Sequence, residues 1–186
     1  MVPQNDSPEL AAGWAELARA RNGDRSAWQA LFARYAPGLV RMTAMITGSP
    51  DAARDCVQET FIKLLSSAAI DRGSSLRAYL STIAYRLALK EQRRWHRHVP
   101  GVMGETVSTD PSPLDLVITD DTQREVARVL LSLPDQHREV LSLRFYGEHS
   151  YEEIARITGV PLGTVKSRIF NAVKSVRVLM KKRGIE

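Results

Sequence analysis

Residues 150–183 read SYEEIARITGVPLGTVKSRIFNAVKSVRVLMKKR, and the spacing within this stretch decides the fold. Ser150 and Glu153 form the S-x-x-E pair in which each side chain satisfies the other residue's free backbone N–H, so a helix starts here. Ile154, Ala155 and Ile157 give that helix an apolar side, and Gly159 supplies a tight turn. Pro161 suits the first turn of a second helix, where its missing N–H costs nothing. A short helix, a glycine turn and a longer basic helix predict a helix-turn-helix.

The second helix is read face by face. Leu162, Val165, Ile169, Ala172, Val176 and Met180 recur every three or four residues and predict one buried stripe. At about 100° per residue, Ser167, Phe170, Asn171 and Lys174 point away from it, with Lys166 and Arg168 on the two flanks. Seven Lys or Arg and no acid lie between Lys166 and Arg183, whereas a solvated structural helix mixes signs. The helix is therefore expected to bind nucleic acid. Thr164, Ser167 and Asn171 can exchange hydrogen bonds with base edges, and Asn pairs well with adenine. Phe170 either meets a thymine methyl or packs on a neighbouring helix. Lys166, Arg168 and Lys174 suit phosphates, which set register and salt dependence but not sequence choice.

Charge extends this reading to the whole chain. Across 186 residues the net charge is +5, and its distribution says more than its total. Residues 85–98 are basic, residues 99–121 hold five acids and no Lys or Arg, and the C-terminus is basic again. Two basic modules joined by an acidic connector are expected. Residues 99–118, with three prolines and two glycines, read as that linker. The lone Cys56 excludes an internal disulfide and a multi-cysteine metal site, and it reads as a small core residue. No apolar run approaches the ~18 residues of a membrane span. The N-terminus lacks the basic start and apolar core of a secretory signal, so a cytoplasmic protein is expected.

Upstream, the pattern is helical throughout. Residues 1–7 read as a flexible lead, and Ser7-Pro8 opens a helix to about Arg21. Asp24 caps a second helix, which Pro37 should kink or restart and Gly48 should end. Ser49-Pro50 starts a third, with Ala53, Val57, Leu64 and Phe61 or Cys56 turned inward and Asp55, Gln58, Glu59 and Lys63 outward. From Ser75 a long helix runs to about His98 on the stripe Leu76, Leu80, Ile83 and Leu87. Helical structure resumes near Thr119 or Asp121, and Pro134 starts a further helix carrying Val140, Leu141, Leu143 and Phe145. No segment sustains β alternation, so the fold class is all-α.

The end of the long helix is a second basic site of a different kind. Arg86, Lys90, Arg93, Arg94 and Arg97 lie beside Tyr85, Trp95, His96 and His98. Charge alone serves a duplex, while interleaved aromatics suit unstacked bases. The bland alternative is a helix end snorkelling in solvent with Trp95 packed on the core. The face of Asp55, Gln58 and Glu59 with Phe61 would repel DNA and suits a basic protein partner, or is simply solvated. Catalysis finds no support: His96, His98, His137 and His149 have no metal-ligand spacing, and there is no P-loop, nucleophile elbow or dinucleotide fingerprint. No cofactor and no metal site is expected.

Taken in order, D-x-x-Q-E-x-F at 55–61, the long helix ending in Arg93-Arg94, L-P-x-x-x-R-E-V-L-x-L-R at 133–144 and Y-x-E-I-A with G-x-x-x-G-T-V-K-S-R at 151–168 resemble one family. The chain resembles the extracytoplasmic-function group of bacterial RNA polymerase sigma factors. The resemblance implies a region 2 domain at 1–98, the linker at 99–118 and a region 4 domain at 119–186. It implies that Asp55, Gln58, Glu59 and Phe61 hold the clamp of core RNA polymerase. It implies that Asp71 and Arg72, with Tyr85, Arg86, Lys90, Arg93, Arg94 and Trp95, melt and read the −10 element. The second domain would dock on the polymerase flap and read the −35 element through 162–174, and an anti-sigma factor is a family expectation. The family usually carries Asn and Asp near Arg86 and Lys90, so the basic residues here favour backbone contact. Arg54 stands where an acid is common, and Asn171 and Val173 where basic residues are frequent. A stand-alone helix-turn-helix regulator, of the response-regulator output type, is the alternative. Against it, residues 1–98 lack the alternating strands of a receiver domain.

Overall fold

The computed structural model describes residues 8–67, 74–98 and 121–183, without the side chains of 8–11, 96–98 and 121–124. The expected lead at 1–7, the loop carrying Asp71 and Arg72, and the acidic linker lie outside the described residues. Eight helices account for what is described: α1 Pro8–Arg21, α2 Arg25–Thr47, α3 Pro50–Ser66, α4 Leu76–His98, α5 Asp121–Leu131, α6 Asp135–Phe145, α7 Tyr151–Thr158 and α8 Leu162–Lys182.

Local chemistry starts and stops them. The Asp24 carboxylate accepts from the N–H groups of Ser26 and Ala27 and caps α2, and Gly48 closes that helix in the left-handed conformation at φ 70°. The Ser49 hydroxyl caps α3 through Ala52 N–H, with Pro50 in the first turn. Of the two outcomes expected at Pro37, a kink or a restart, the restart does not occur: α2 is one helical span through the proline. Leu31 and Ala36 before the proline, and Leu39 and Met42 after it, are all buried, so packing on both sides outweighs the one backbone bond Pro removes.

In the first half, α1 to α4 pack around Leu31, Met42, Met45, Ile46, Leu64, Leu76 and Leu80. Trp14 donates from its indole to Ser74 O at 3.0 Å, tying α1 to the start of α4. In the second half, Val129, Val140, Leu143, Ile154, Val165 and Ala172 form the core of α5 to α8. Arg138 reaches back to the carbonyls of Leu131 and Leu133, satisfying acceptors left over at the end of α5.

The halves touch. Their buried side chains form one continuous cluster, with α2 against α6 and α4 against α7. At Gly38 an added Cβ would lie 3.1 Å from the backbone oxygen of Tyr146, so α2 and the residue after α6 approach closely enough that a larger side chain there would need a shift of a few tenths of an ångström. Helix α4 is consequently buried on two sides. Leu76, Leu80 and Ala84 serve the first half's core, and Ala78, Ser81, Tyr85, Ala88 and Gln92 recur at three and four residues along a second buried line.

Candidate nucleic-acid and polymerase interface

The helix-turn-helix is built as its spacing predicts. Ser150 Oγ accepts from Glu153 N–H at 3.1 Å and Glu153 Oε2 accepts from Ser150 N–H at 2.9 Å. Gly159 caps α7 at φ 73°, a conformation that side chains with a Cβ avoid. The Glu153 carboxyl is held at about 2 by the adjacent His149 ring, against the cost of burial, and by the Ser150 N–H it accepts from. His149 Nδ1 lies 3.7 Å from Glu153 Oε2, longer than a hydrogen bond.

Val165, Ile169 and Ala172 seat α8 on its neighbours, which leaves its opposite edge outward. Lys166, Ser167, Phe170, Asn171 and Lys174 are exposed and Thr164 is half-buried. Phe170 is 71% exposed among the described residues, so a large apolar ring stands largely free in a polar edge. The Ser167 hydroxyl donates to Thr164 O at 3.0 Å, so toward a ligand it offers its lone pairs. Arg168 departs from the expectation of a free phosphate contact: it is half-buried, and its charge acts on Tyr85 and Glu139.

Along α4, Arg86, Lys90 and Arg93 lie on one exposed line, with Arg94 also exposed and 3.9 Å from Glu91. Trp95 is 63% exposed, so it does not pack on the core. Tyr85 does not share this surface. It is 5% exposed, and its hydroxyl donates to Glu139 Oε2 at 2.8 Å. In this arrangement its ring faces the second half, and the expectation of an open stacking surface is corrected accordingly. Burial first, then the Glu139 charge and bond, push the Tyr85 hydroxyl up, while burial pushes the Glu139 carboxyl up.

On α3, Asp55, Gln58 and Glu59 are exposed as expected, with Glu59 paired to Lys63 at 3.3 Å. Phe61 is not with them. It is 3% exposed, edge-on to Trp28 at 5.5 Å and tilted against Phe32 at 4.9 Å, so it is a core residue rather than a surface one. The large apolar side chains exposed on α2 and α3 are Phe32, Ile62 and Leu65. Cys56 is buried too, its thiol pushed up to about 11 chiefly by desolvation. Arg54 is occupied by Asp51 at 2.7 Å. Among the described residues no helix is long and apolar enough to cross a membrane.

The described residues form an all-helical pair of modules, one ending in a basic helix with an exposed indole and the other in a basic helix-turn-helix, the architecture of a DNA-binding protein. Residues 31–98 match sigma-70 region 2, and residues 129–178 match sigma-70 region 4. The ECF RNA polymerase sigma-E factor of Escherichia coli strain K12 is 30% identical over 173 residues, covering 85% of this chain and 88% of that protein. The ECF RNA polymerase sigma factor SigL of Mycobacterium tuberculosis strain H37Rv is 29% identical over 174 residues, covering 92% and 98%. Among solved structures, the sigma factor RpoE in complex with the anti-sigma factor NepR from Bartonella quintana superposes with a TM-score of 0.67 at 28% identity, over 83% of this chain and 96% of that one. CnrH in complex with the cytosolic domain of CnrY shares the fold, with a TM-score of 0.65 at 21% identity over 90% and 96%. The chain belongs to the sigma-70 family, in its extracytoplasmic-function group, and directs RNA polymerase to promoters to initiate transcription.

Proposed function

We propose that the two halves divide promoter recognition between them. The outward edge of α8 reads the −35 element, with Thr164, Ser167, Asn171 and Phe170 at base edges and Lys166 and Lys174 on phosphates. Arg86, Lys90, Arg93, Arg94 and Trp95 hold the melted −10 strand together with the loop of Asp71 and Arg72. The exposed line of three cations beside a free indole supports backbone attraction plus base stacking, the combination that single strands need. The chain itself performs no catalysis in this reading, and it works in the cytoplasm.

Asp55, Gln58 and Glu59 form the face that meets the polymerase clamp, and Ile62 and Leu65 extend it with the apolar contact first expected of Phe61. An anti-sigma partner fits the same reading, since the solved RpoE of Bartonella quintana is a sigma factor in complex with the anti-sigma factor NepR. The observation that carries the proposal is the outward edge of α8: seated on Val165, Ile169 and Ala172, it presents acceptors, an amide, a ring and two cations together. A selection of promoter fragments bound by the reconstituted holoenzyme tests it. Asn171→Ala and Ser167→Ala should change which upstream hexamers are recovered. Recovery of an unchanged set would mean that neither residue reads bases.

A further inference from the structure

Two polar ties of α1 end on the two sides of one segment. Arg21, the last residue of α1, donates from Nη2 to Ser67 O at 2.8 Å and also to Leu64 O. The last carbonyls of a helix lack partners within it, so a cation at the end of α3 meets free acceptors and the negative end of the helix dipole. Trp14 lies seven residues before Arg21, close to two helical turns, and so on the same side of α1. Its indole donates to Ser74 O at 3.0 Å, just before α4 begins. The Trp14 ring is buried and meets Tyr79 of α4 edge-on at 5.6 Å. At Gly13 an added Cβ would lie 3.2 Å from the Cβ of Leu76, so α1 sits close against the first residue of α4.

Residues 68–73, with Asp71 and Arg72 among them, thus leave α3 and enter α4 at two points held by a third helix. Helix capping accounts for either tie alone. It does not account for both coming from one side of one helix to the two ends of the same segment. A segment anchored at both ends to a rigid element has fewer arrangements to lose on binding, which sharpens discrimination between ligands that differ by one group. We propose that Trp14 and Arg21 are positioning residues for −10 specificity: α1 fixes the separation of Ser67 and Ser74, and through it how Asp71 and Arg72 meet an unpaired base. This rests on the reading of the Asp71–Arg72 segment as part of the −10 surface. Neither Trp14 nor Arg21 touches DNA in this account.

Trp14→Phe keeps a ring against Tyr79 and removes the N–H donor, and Arg21→Met keeps most of an exposed stem and removes its donors. Both substitutions are mild enough for the full chain to fold, singly or together. Holoenzyme reconstituted with parent or variant is offered two promoter libraries, one randomised at −10 with a fixed −35 element and one randomised at −35 with a fixed −10 element. Fragments held in heparin-resistant complexes are sequenced. At a contacted −10 position the parent should favour its best base about tenfold over a wrong one. In the double variant that preference should fall below about threefold, with the −35 preference and core affinity unchanged. Arg21→Lys, which keeps a donor nitrogen, should lie nearer the parent than Arg21→Met does. A merely structural role would lower the urea midpoint and both preferences together. An unchanged −10 preference in the double variant, or an equal loss at −10 and −35, would overturn the positioning role. Asp71→Ala with Arg72→Ala separates this from the reading it rests on. If that pair alters the −10 preference and the α1 variants do not, only the positioning role falls. If neither set alters it, the positioning role and the assignment of the Asp71–Arg72 segment fall together.

Discussion

The Tyr85 hydroxyl donates to the Glu139 carboxylate at 2.8 Å across 54 residues of sequence, joining the long helix of the first half to α6 of the second. Both groups are largely withdrawn from water, and removing only one partner strands the other. Tyr85→Phe leaves a half-buried carboxylate without its donor and should cost about 1–3 kcal/mol. The double variant Tyr85→Phe, Glu139→Leu should be more stable than Tyr85→Phe alone, because no unpaired charge remains. Urea unfolding of the two single variants and the double measures this as a coupling energy.

Acid should weaken the helix-turn-helix in a defined window. Glu153 is held at about 2, against an ordinary value of 4.5, so its ionised form stabilises the native state above the ordinary value. That contribution is lost as pH falls from 4.5 toward 2. Glu125, lowered by its bonds to Arg183 and Arg128, acts in the same direction. Glu139 acts the other way, since burial raises it and its protonation relieves the cost. Thermal melts from pH 7 to pH 3 should show a falling midpoint, and Glu153→Gln should flatten that fall while costing about 1 kcal/mol at pH 7 through the cap.

Lys166→Ala and Lys174→Ala should weaken duplex binding by similar factors on every sequence and reduce the salt slope by about 1 each. Asn171→Ala should instead cost about 1–3 kcal/mol on preferred sites and little elsewhere. Fluorescence anisotropy titrations at several salt concentrations separate the two behaviours. Arg168→Ala should change the salt slope least, because its side chain is half-buried while those of Lys166 and Lys174 are exposed.

Phe61 and Ile62 are adjacent in sequence and opposite in consequence. Phe61→Ala removes a ring packed between Trp28 and Phe32 and should cost about 3–5 kcal/mol. Ile62→Ser changes an exposed side chain and should alter stability by less than about 0.5 kcal/mol. Co-purification with core polymerase should nevertheless fall for Ile62→Ser, and it should be abolished by Asp55→Lys with Glu59→Lys. Binding that persists unchanged in the charge-reversed protein would show that this face of α3 is assigned wrongly.

Helix starts, helix ends and the exposed edge of α8 were legible in the sequence because each is local. Ser150 and Glu153 cap across three residues, Gly159 turns at one residue, and the α8 stripe repeats every three or four. Phe61 was ambiguous because it lies at the border of an amphipathic face, where Trp28 and Phe32 on another helix decide which way it turns. Tyr85 was misread for a related reason. The second buried line of α4 is Ala, Ser, Tyr, Ala and Gln, a composition that carries no hydrophobic signal. What covers it is a histidine and a glutamate more than fifty residues away. Arg168 lies on a flank of α8, and periodicity cannot say that the flank is half-buried. Ile62 and Leu65 were passed over because an exposed apolar side chain is visible only once the core has been filled.

Multi-round run-off transcription on a pool of promoter fragments, with core RNA polymerase alone and with the protein added, tests the central claim most directly. The account predicts discrete transcripts that require the protein, initiate at common upstream sequences and disappear with Asp55→Lys, Glu59→Lys. Duplex binding by the protein with no protein-dependent initiation would contradict it.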